Sequence, residues 1–100
     1  MPSKNGLLAR IEARPEHADE VAALLRGALD AARAEEQTLT WFAFRESPTV
    51  FGIFDTFADE AGRAAHLEGP IAAALMEVAP RLLATEPSIR AVDILAAKPS

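Results

Sequence analysis

The stretch Thr38-Leu-Thr-Trp-Phe-Ala-Phe-Arg-Glu-Ser-Pro-Thr-Val-Phe-Gly-Ile-Phe-Asp-Thr-Phe57 contains all six aromatic residues of the 100-residue chain. Two apolar runs flank Ser47-Pro48, a pair typical of turns, so the stretch predicts a β-hairpin. A strand with one face in water alternates apolar and polar residues, but here both faces of both strands are apolar. We therefore expect both faces of the hairpin to be covered. The first strand places Leu39, Trp41 and Ala43 on one face and Phe42 and Phe44 on the other; the second places Phe51, Ile53 and Phe57 on one face and Val50 and Phe54 on the other.

The segments on either side of the hairpin complete a β-α-β-β-α-β pattern. In chain order we predict a strand at residues 7–13, a helix from residue 15 to residues 34–37, the hairpin, a helix over residues 59–67, a fresh helix from Pro70 that Pro80 kinks, and a strand at residues 88–97. This order predicts one ferredoxin-like α+β domain spanning residues 1–100, with a four-stranded antiparallel sheet and both helices on one face.

The uncovered sheet face predicts a partner. Helices of a chain this short cover one face, so the other face needs a second molecule or encloses a ligand. An isologous two-fold homodimer is the simplest closed solution, and a stable interface of this kind buries about 1,600 Å² in total. We therefore expect a homodimer.

Composition excludes several function classes. The net charge of −5 argues against nucleic-acid and anionic-membrane partners, which require a basic surface. The chain has no cysteine, and therefore no disulfide, thiol nucleophile or thiolate metal site. It shows no apolar run of membrane-spanning length and no signal-peptide core. We expect a cytoplasmic protein without flavin, haem or stoichiometric metal.

His66 is the best acid–base candidate in a chain that lacks a phosphate loop, a paired-histidine metal motif and a nucleophile elbow. An imidazole titrates near neutral pH and can move a proton. The alternative is a half-exposed histidine that caps carbonyls freed at Gly69-Pro70.

Asp55 lies in mid-strand between Phe54 and Thr56, where a buried carboxylate needs a partner. It is either a polar group in a ligand cavity or, as we favour, a member of an ion pair with an arginine such as Arg10 or Arg90, or a residue at the rim of the sheet.

Four further residues are candidate substrate contacts. Trp41 offers an indole N–H within an apolar region, as a cavity wall or as part of the core. Phe42 and Phe57 are candidate walls, and Met76 lines a pocket or packs in the core.

The segments Thr40-Trp-Phe-Ala-Phe44, Phe51-Gly-Ile-Phe-Asp55 and Asp59-Glu-Ala-Gly-Arg-Ala-Ala-His-Leu-Glu-Gly-Pro70 resemble the antibiotic biosynthesis monooxygenase family. These are small dimeric α+β barrel proteins, and the His66-Leu67 pair is their most recognisable point here. The resemblance implies a homodimer with its sheets face to face and an apolar pocket between sheet and helices.

The resemblance also implies a reaction. A small phenolic or quinol compound would be oxidised by dioxygen without metal or flavin, with His66 as proton acceptor and Trp41, Phe42 and Phe57 as pocket walls. The alternative is a non-catalytic dimeric binding protein for a small apolar ligand. The direction of the His66 ring, and a cavity beside it, discriminates the two hypotheses.

Overall fold

A four-stranded antiparallel sheet organises the chain in the computed structural model, which describes residues 5–98. The strands are β1 (Asn5–Glu12), β2 (Thr38–Arg45), β3 (Val50–Phe57) and β4 (Ser88–Asp93), and the helices are α1 (Ala18–Gly27), α2 (Leu29–Ala34), α3 (Glu60–Leu67) and α4 (Pro70–Leu82). The sheet order is β2-β3-β1-β4, so β3 of the hairpin is central and β2 lies at an edge. The predicted ferredoxin-like α+β fold is confirmed.

Several elements differ from the prediction. Strand β1 spans Asn5–Glu12, against the predicted residues 7–13. The first helix is divided into a 3₁₀ turn (Pro15–His17), α1 and α2. Helix α4 continues through Pro80 to Leu82, because Pro80 lies in the last turn, where few backbone bonds follow the missing donor. Strand β4 ends at Asp93, which pairs with Asn5, the first residue of β1.

The helices cover one face of the sheet. Odd-numbered residues of β1 and β3 point towards them, and Ile11 and Phe57 are both 0% exposed. The opposite face carries the even-numbered residues, because successive side chains of a strand alternate. We call it the open face, and its apolar residues are Leu8, Phe42, Phe44, Val50, Phe54 and Val92. Phe42 is 59% exposed and Phe44 is 43% exposed, so this face presents aromatic surface.

The Phe44 ring covers Gly52, its cross-strand partner in β3. A Cβ atom added at Gly52 would lie 2.2 Å from Phe44 Cζ, far inside van der Waals contact. Glycine in a strand interior commonly marks such a close approach. The absence of a side chain at Gly52 therefore sets where the Phe44 ring lies on the open face.

We expect Gly52→Ala to push the Phe44 ring aside and to lower the free energy of unfolding by about 1 kcal/mol. In a Phe44→Ala background the same substitution should raise it by about 0.5–1 kcal/mol, because alanine costs less entropy than glycine in a strand. Denaturant melts of the four proteins measure this coupling.

Gly27→Ala is the matched control, since no atom of the described part of the chain lies within 4 Å of a Cβ atom added there. It should be neutral or stabilising in both backgrounds. An equal effect of Gly52→Ala with and without the Phe44 ring would contradict the predicted contact.

Candidate functional site

Helix α3 directs His66 towards the sheet. Asp59 caps the helix by accepting a hydrogen bond from the Gly62 backbone N–H at 2.8 Å, which satisfies a free donor of the first turn. His66 lies in the last turn and is 8% exposed. Its ring packs against the Phe57 ring, with the two centroids 5.1 Å apart.

Two carboxylates hold the His66 ring, one at each nitrogen. Nδ1 lies 2.6 Å from Glu35 Oε1, which also accepts a hydrogen bond from Thr38 Oγ1 at 2.8 Å. Nε2 lies 3.0 Å from Asp55 Oδ2 in an ion pair, although the contact is not a well-aligned hydrogen bond. We call Glu35, Asp55 and His66 the histidine cluster. A carboxylate at each ring nitrogen favours the imidazolium, the form that carries a proton on both.

The carboxylates change the titration of His66. Burial alone would lower its pKa, but the contacts with Asp55 and Glu35 outweigh burial and raise the pKa from 6.5 to about 9. His66 is therefore an imidazolium at neutral pH. Its neutral, proton-accepting form becomes abundant only as the pH approaches 9.

A small apolar cavity of about 30 Å³ adjoins the histidine cluster. Asp55 and His66 contribute its polar groups, and aliphatic side chains of the sheet, α3 and α4 form its walls. Leu67 and Ile89, which are 43% and 36% exposed, place its mouth at the surface between α3 and β4. The cavity has room for about one water molecule.

A larger space, the hairpin cleft, lies between α1, the start of α2, and the hairpin, and it extends around the edge strand β2, because Phe42 and Phe44 of the open face also line it. Its volume is about 430 Å³. It is lined by Ala22, Leu25, Arg26, Leu29, Trp41, Phe42, Ala43, Phe44, Arg45 and Phe51. The hairpin cleft and the His66 cavity share no lining residue, although Trp41 is the cross-strand neighbour of Asp55.

The structure separates the candidate substrate contacts into groups. His66, Asp55 and Phe57 come together, whereas Trp41 and Phe42 line the hairpin cleft. Met76 is 53% exposed on α4 and lines neither the cleft nor the His66 cavity. Roles of these residues in catalysis or substrate binding remain predictions.

The interpretation of His66 as a half-exposed capping residue is wrong. Its side chain is buried, and backbone N–H groups of Glu68 and Gly69 bond the carbonyls of Ala65 and His66.

The predicted ion pair of Asp55 with Arg10 or Arg90 is also wrong. Both arginines occupy even-numbered strand positions on the open face, and Asp55 points to the helices and meets His66. Alternation of side chains along a strand separates them.

Glu35 was not found from the sequence. It follows α2 immediately and lies 31 residues before His66, with no motif around it. It is one of 15 acidic residues, and only the fold brings it into contact with His66.

Residues 5–98 contain neither a metal-binding cluster nor a helix that could span a membrane. Within this part of the chain, no group of three or more His, Asp or Glu side chains is arranged to hold a metal ion. The two carboxylates of the histidine cluster face different ring nitrogens and do not converge on one point. None of the helices in the same range combines the length and apolar character needed to cross a membrane.

Among solved structures, the chain is similar to NE2512 of Nitrosomonas europaea, a protein of unknown function. The two share 50% sequence identity over 98% of this chain and 95% of NE2512, with a TM-score of 0.94. The chain belongs to the NE2512 family. No family model matches the chain, and no curated protein matches it.

More distant structures share the fold of the NE2512 family. PA3566 of Pseudomonas aeruginosa is 24% identical over 96% of this chain and 98% of its own length, with a TM-score of 0.81. An antibiotic biosynthesis monooxygenase is 19% identical over 92% of this chain and 99% of its own length, with a TM-score of 0.79. These likenesses establish a common architecture between the NE2512 family and monooxygenases of this type.

We expect the stability of the chain to fall as the pH rises from 6.5 to 9. The pKa of His66 is about 9 in the folded protein against 6.5 for the ordinary side chain. The stabilisation from protonated His66 is therefore fully present below about pH 6.5 and is lost as the pH rises through about 9, by an amount on the order of 3 kcal/mol. Denaturant melts across this range measure it.

His66→Gln should be less stable at neutral pH and should lose most of this pH dependence. His17→Gln is the control, because the side chain of His17 bonds only the exposed Glu20 among residues 5–98, at 2.8 Å, and the variant should keep the wild-type profile. A wild-type stability that stays level from pH 6.5 to 9 would contradict the raised pKa of His66.

Proposed function

We propose that the chain is a cofactor-independent monooxygenase that oxidises a small phenolic or quinol compound with dioxygen. The observation that carries the proposal is the inward direction of His66, which borders an apolar cavity and contacts two carboxylates. A histidine turned to solvent would have favoured simple binding. The shared fold with an antibiotic biosynthesis monooxygenase is a second support.

The raised pKa of His66 suits proton abstraction from a phenol. A phenolic hydroxyl has a pKa of about 10, close to the value of about 9 for His66. Proton transfer to neutral His66 is then nearly balanced, the condition in which a general base works well. The electron-rich anion that remains reacts with dioxygen.

The reaction balances without an outside reductant. A hydroquinone and dioxygen give a hydroxyquinone and water, so the substrate supplies all the electrons. One oxygen atom forms the new C–O bond, and the other leaves as water with the protons taken from the substrate.

The other residues of the site have supporting roles in this proposal. Glu35 and Asp55 position the His66 ring and raise its pKa. The Phe57 ring packs beside it, and the aliphatic walls exclude water from the reactive anion. The cavity holds about one water molecule and is too small for an aromatic ring. In this proposal the partly exposed side chains of Leu67 and Ile89 turn outward to admit the substrate.

We expect His66→Gln to lower oxygen uptake by roughly a hundred-fold or more with the best of a panel of hydroquinones and dihydroxynaphthalenes. Wild-type uptake should rise about tenfold from pH 7 to 8 and about fivefold from pH 8 to 9, as neutral His66 accumulates. Uptake without protein corrects for spontaneous oxidation, and labelled dioxygen should place one oxygen atom in the product.

His17→Gln controls for the loss of a histidine and should retain wild-type uptake. Equal uptake by wild type and His66→Gln would remove His66 from the mechanism. A wild type that oxidises no member of the panel at any of these pH values would count against the enzyme and favour the binding protein.

We also propose that the open face forms a homodimer interface. The exposed aromatic surface of Phe42 and Phe44 needs cover, and the helices occupy the other face. The fold likeness to small monooxygenases agrees with this arrangement.

Phe42→Glu should shift the protein towards the 10.7 kDa monomer by placing a charge in the interface. Met76→Glu is the matched control, since Met76 is exposed to a similar degree, 53% against 59%, but lies on α4. Light scattering at micromolar concentration measures the mass. A wild-type monomer at that concentration would contradict the proposal.

The second candidate function is non-catalytic binding of a small apolar ligand. The hairpin cleft favours it, because this space of about 430 Å³ far exceeds the His66 cavity of about 30 Å³ and does not include His66.

A further inference from the structure

Among residues 5–98, every hydrogen-bonding side chain that lines the hairpin cleft is a donor. These side chains are Arg26, Trp41 and Arg45, and no aspartate, glutamate or amide side chain joins them. The chain has 15 acidic residues and a net charge of −5, so its composition alone would place acidic groups in most surface clefts. The cleft is therefore a local cationic site in an acidic protein.

Each donor is free or only weakly engaged. The exposed side chain of Arg26 makes no hydrogen bond or ion pair with the residues that the structure describes. Trp41 Nε1 has no hydrogen-bond partner among these residues either, but it is buried, so the two arginines are the donors that an anion in the cleft can reach. Arg45 lies over the Phe51 ring at 4.7 Å and only 3.9 Å from the fully exposed Asp19 carboxylate, a contact that solvent screens. A bound anion would therefore have to displace only the weak contact between Arg45 and Asp19.

The rest of the cleft is apolar. Ala22, Leu25 and Phe51 are at most 8% exposed and form its floor, below the exposed arginines. Small-molecule sites usually combine an apolar body with a few polar groups that orient the ligand. The floor fits a flat ring, and the arginines at the rim fit a negative group.

The positive charge of the two arginines decides whether a phenol or a carboxylate of the ligand fits the rim of the cleft. A phenol, with a pKa of about 10, is neutral at pH 7, whereas a carboxylate is ionised there. Arginine pairs with a carboxylate through parallel charge-assisted hydrogen bonds, which a neutral hydroxyl cannot accept in the same way. We propose that the hairpin cleft binds an aromatic carboxylate.

This site is separate from the proposed reaction. The cleft shares no lining residue with the His66 cavity, and the inference does not rest on turnover. The competing occupant is a second copy of the chain, because Phe42 and Phe44, which line the cleft, also belong to the open face proposed as the homodimer interface.

The test compares 2-naphthoate with its neutral isostere 2-naphthamide by titration calorimetry on the full chain. Wild type should bind naphthoate at least about tenfold more tightly. Arg26→Gln and Arg45→Gln should each weaken naphthoate binding about tenfold and leave naphthamide binding unchanged. Arg33→Gln, at a 72% exposed position outside the cleft, makes the same charge change and should have no effect.

Trp41 reports the location of binding. It is the only tryptophan, so the protein has one indole N–H signal in a nitrogen–proton NMR spectrum, and naphthoate should move it. Equal affinity for the two probes, no naphthoate binding, or binding that leaves this signal in place would overturn the proposal. A naphthoate affinity that falls as protein concentration rises would do so too, because a second copy would then fill the cleft.

Discussion

The buried contact between His66 and two carboxylates is the constraint on which the rest of this structure depends. Glu35 follows α2, Asp55 belongs to β3 and His66 lies on α3, so one imidazole joins three elements. Buried charges are costly unless they are paired, and each member of this cluster needs the others. The position of α3 on the sheet is thereby tied to Glu35, the residue that follows α2. The same contacts raise the pKa of His66 to about 9 and keep its ring protonated at neutral pH.

The helix-covered side of the sheet is divided between two kinds of environment. Around His66 the space is small, aliphatic and adjacent to carboxylates, which suits proton transfer away from water. In the hairpin cleft the space is larger, aromatic and bordered by arginines. Trp41 and Asp55 are cross-strand neighbours, so the two regions adjoin at the β2–β3 pair. This division explains why a catalytic and a binding function each find support in one molecule.

The open face follows from the same topology. With α1 to α4 on one side, the aromatic residues at even-numbered positions of the hairpin have no cover from the described part of the chain. Gly52 lets the Phe44 ring lie against the strand, which flattens this surface. A flat apolar face and a helix-covered face are what a two-fold sheet-to-sheet assembly requires.

The sequence by itself determined the element order, the two apolar faces of the hairpin and the selection of His66 as the acid–base candidate. Each of these depends on local periodicity or on a single residue type. Side-chain alternation also separates Asp55 from Arg10 and Arg90, so the strand pattern itself argues against the ion pair predicted between them. Only the tertiary structure decided that Glu35, 31 residues away, meets His66, and that Met76 faces solvent. It also decided that Trp41 faces a cleft without His66. Such proximities arise when helices pack on a sheet, and a pKa set by two distant carboxylates leaves no trace in the residues beside His66 along the chain.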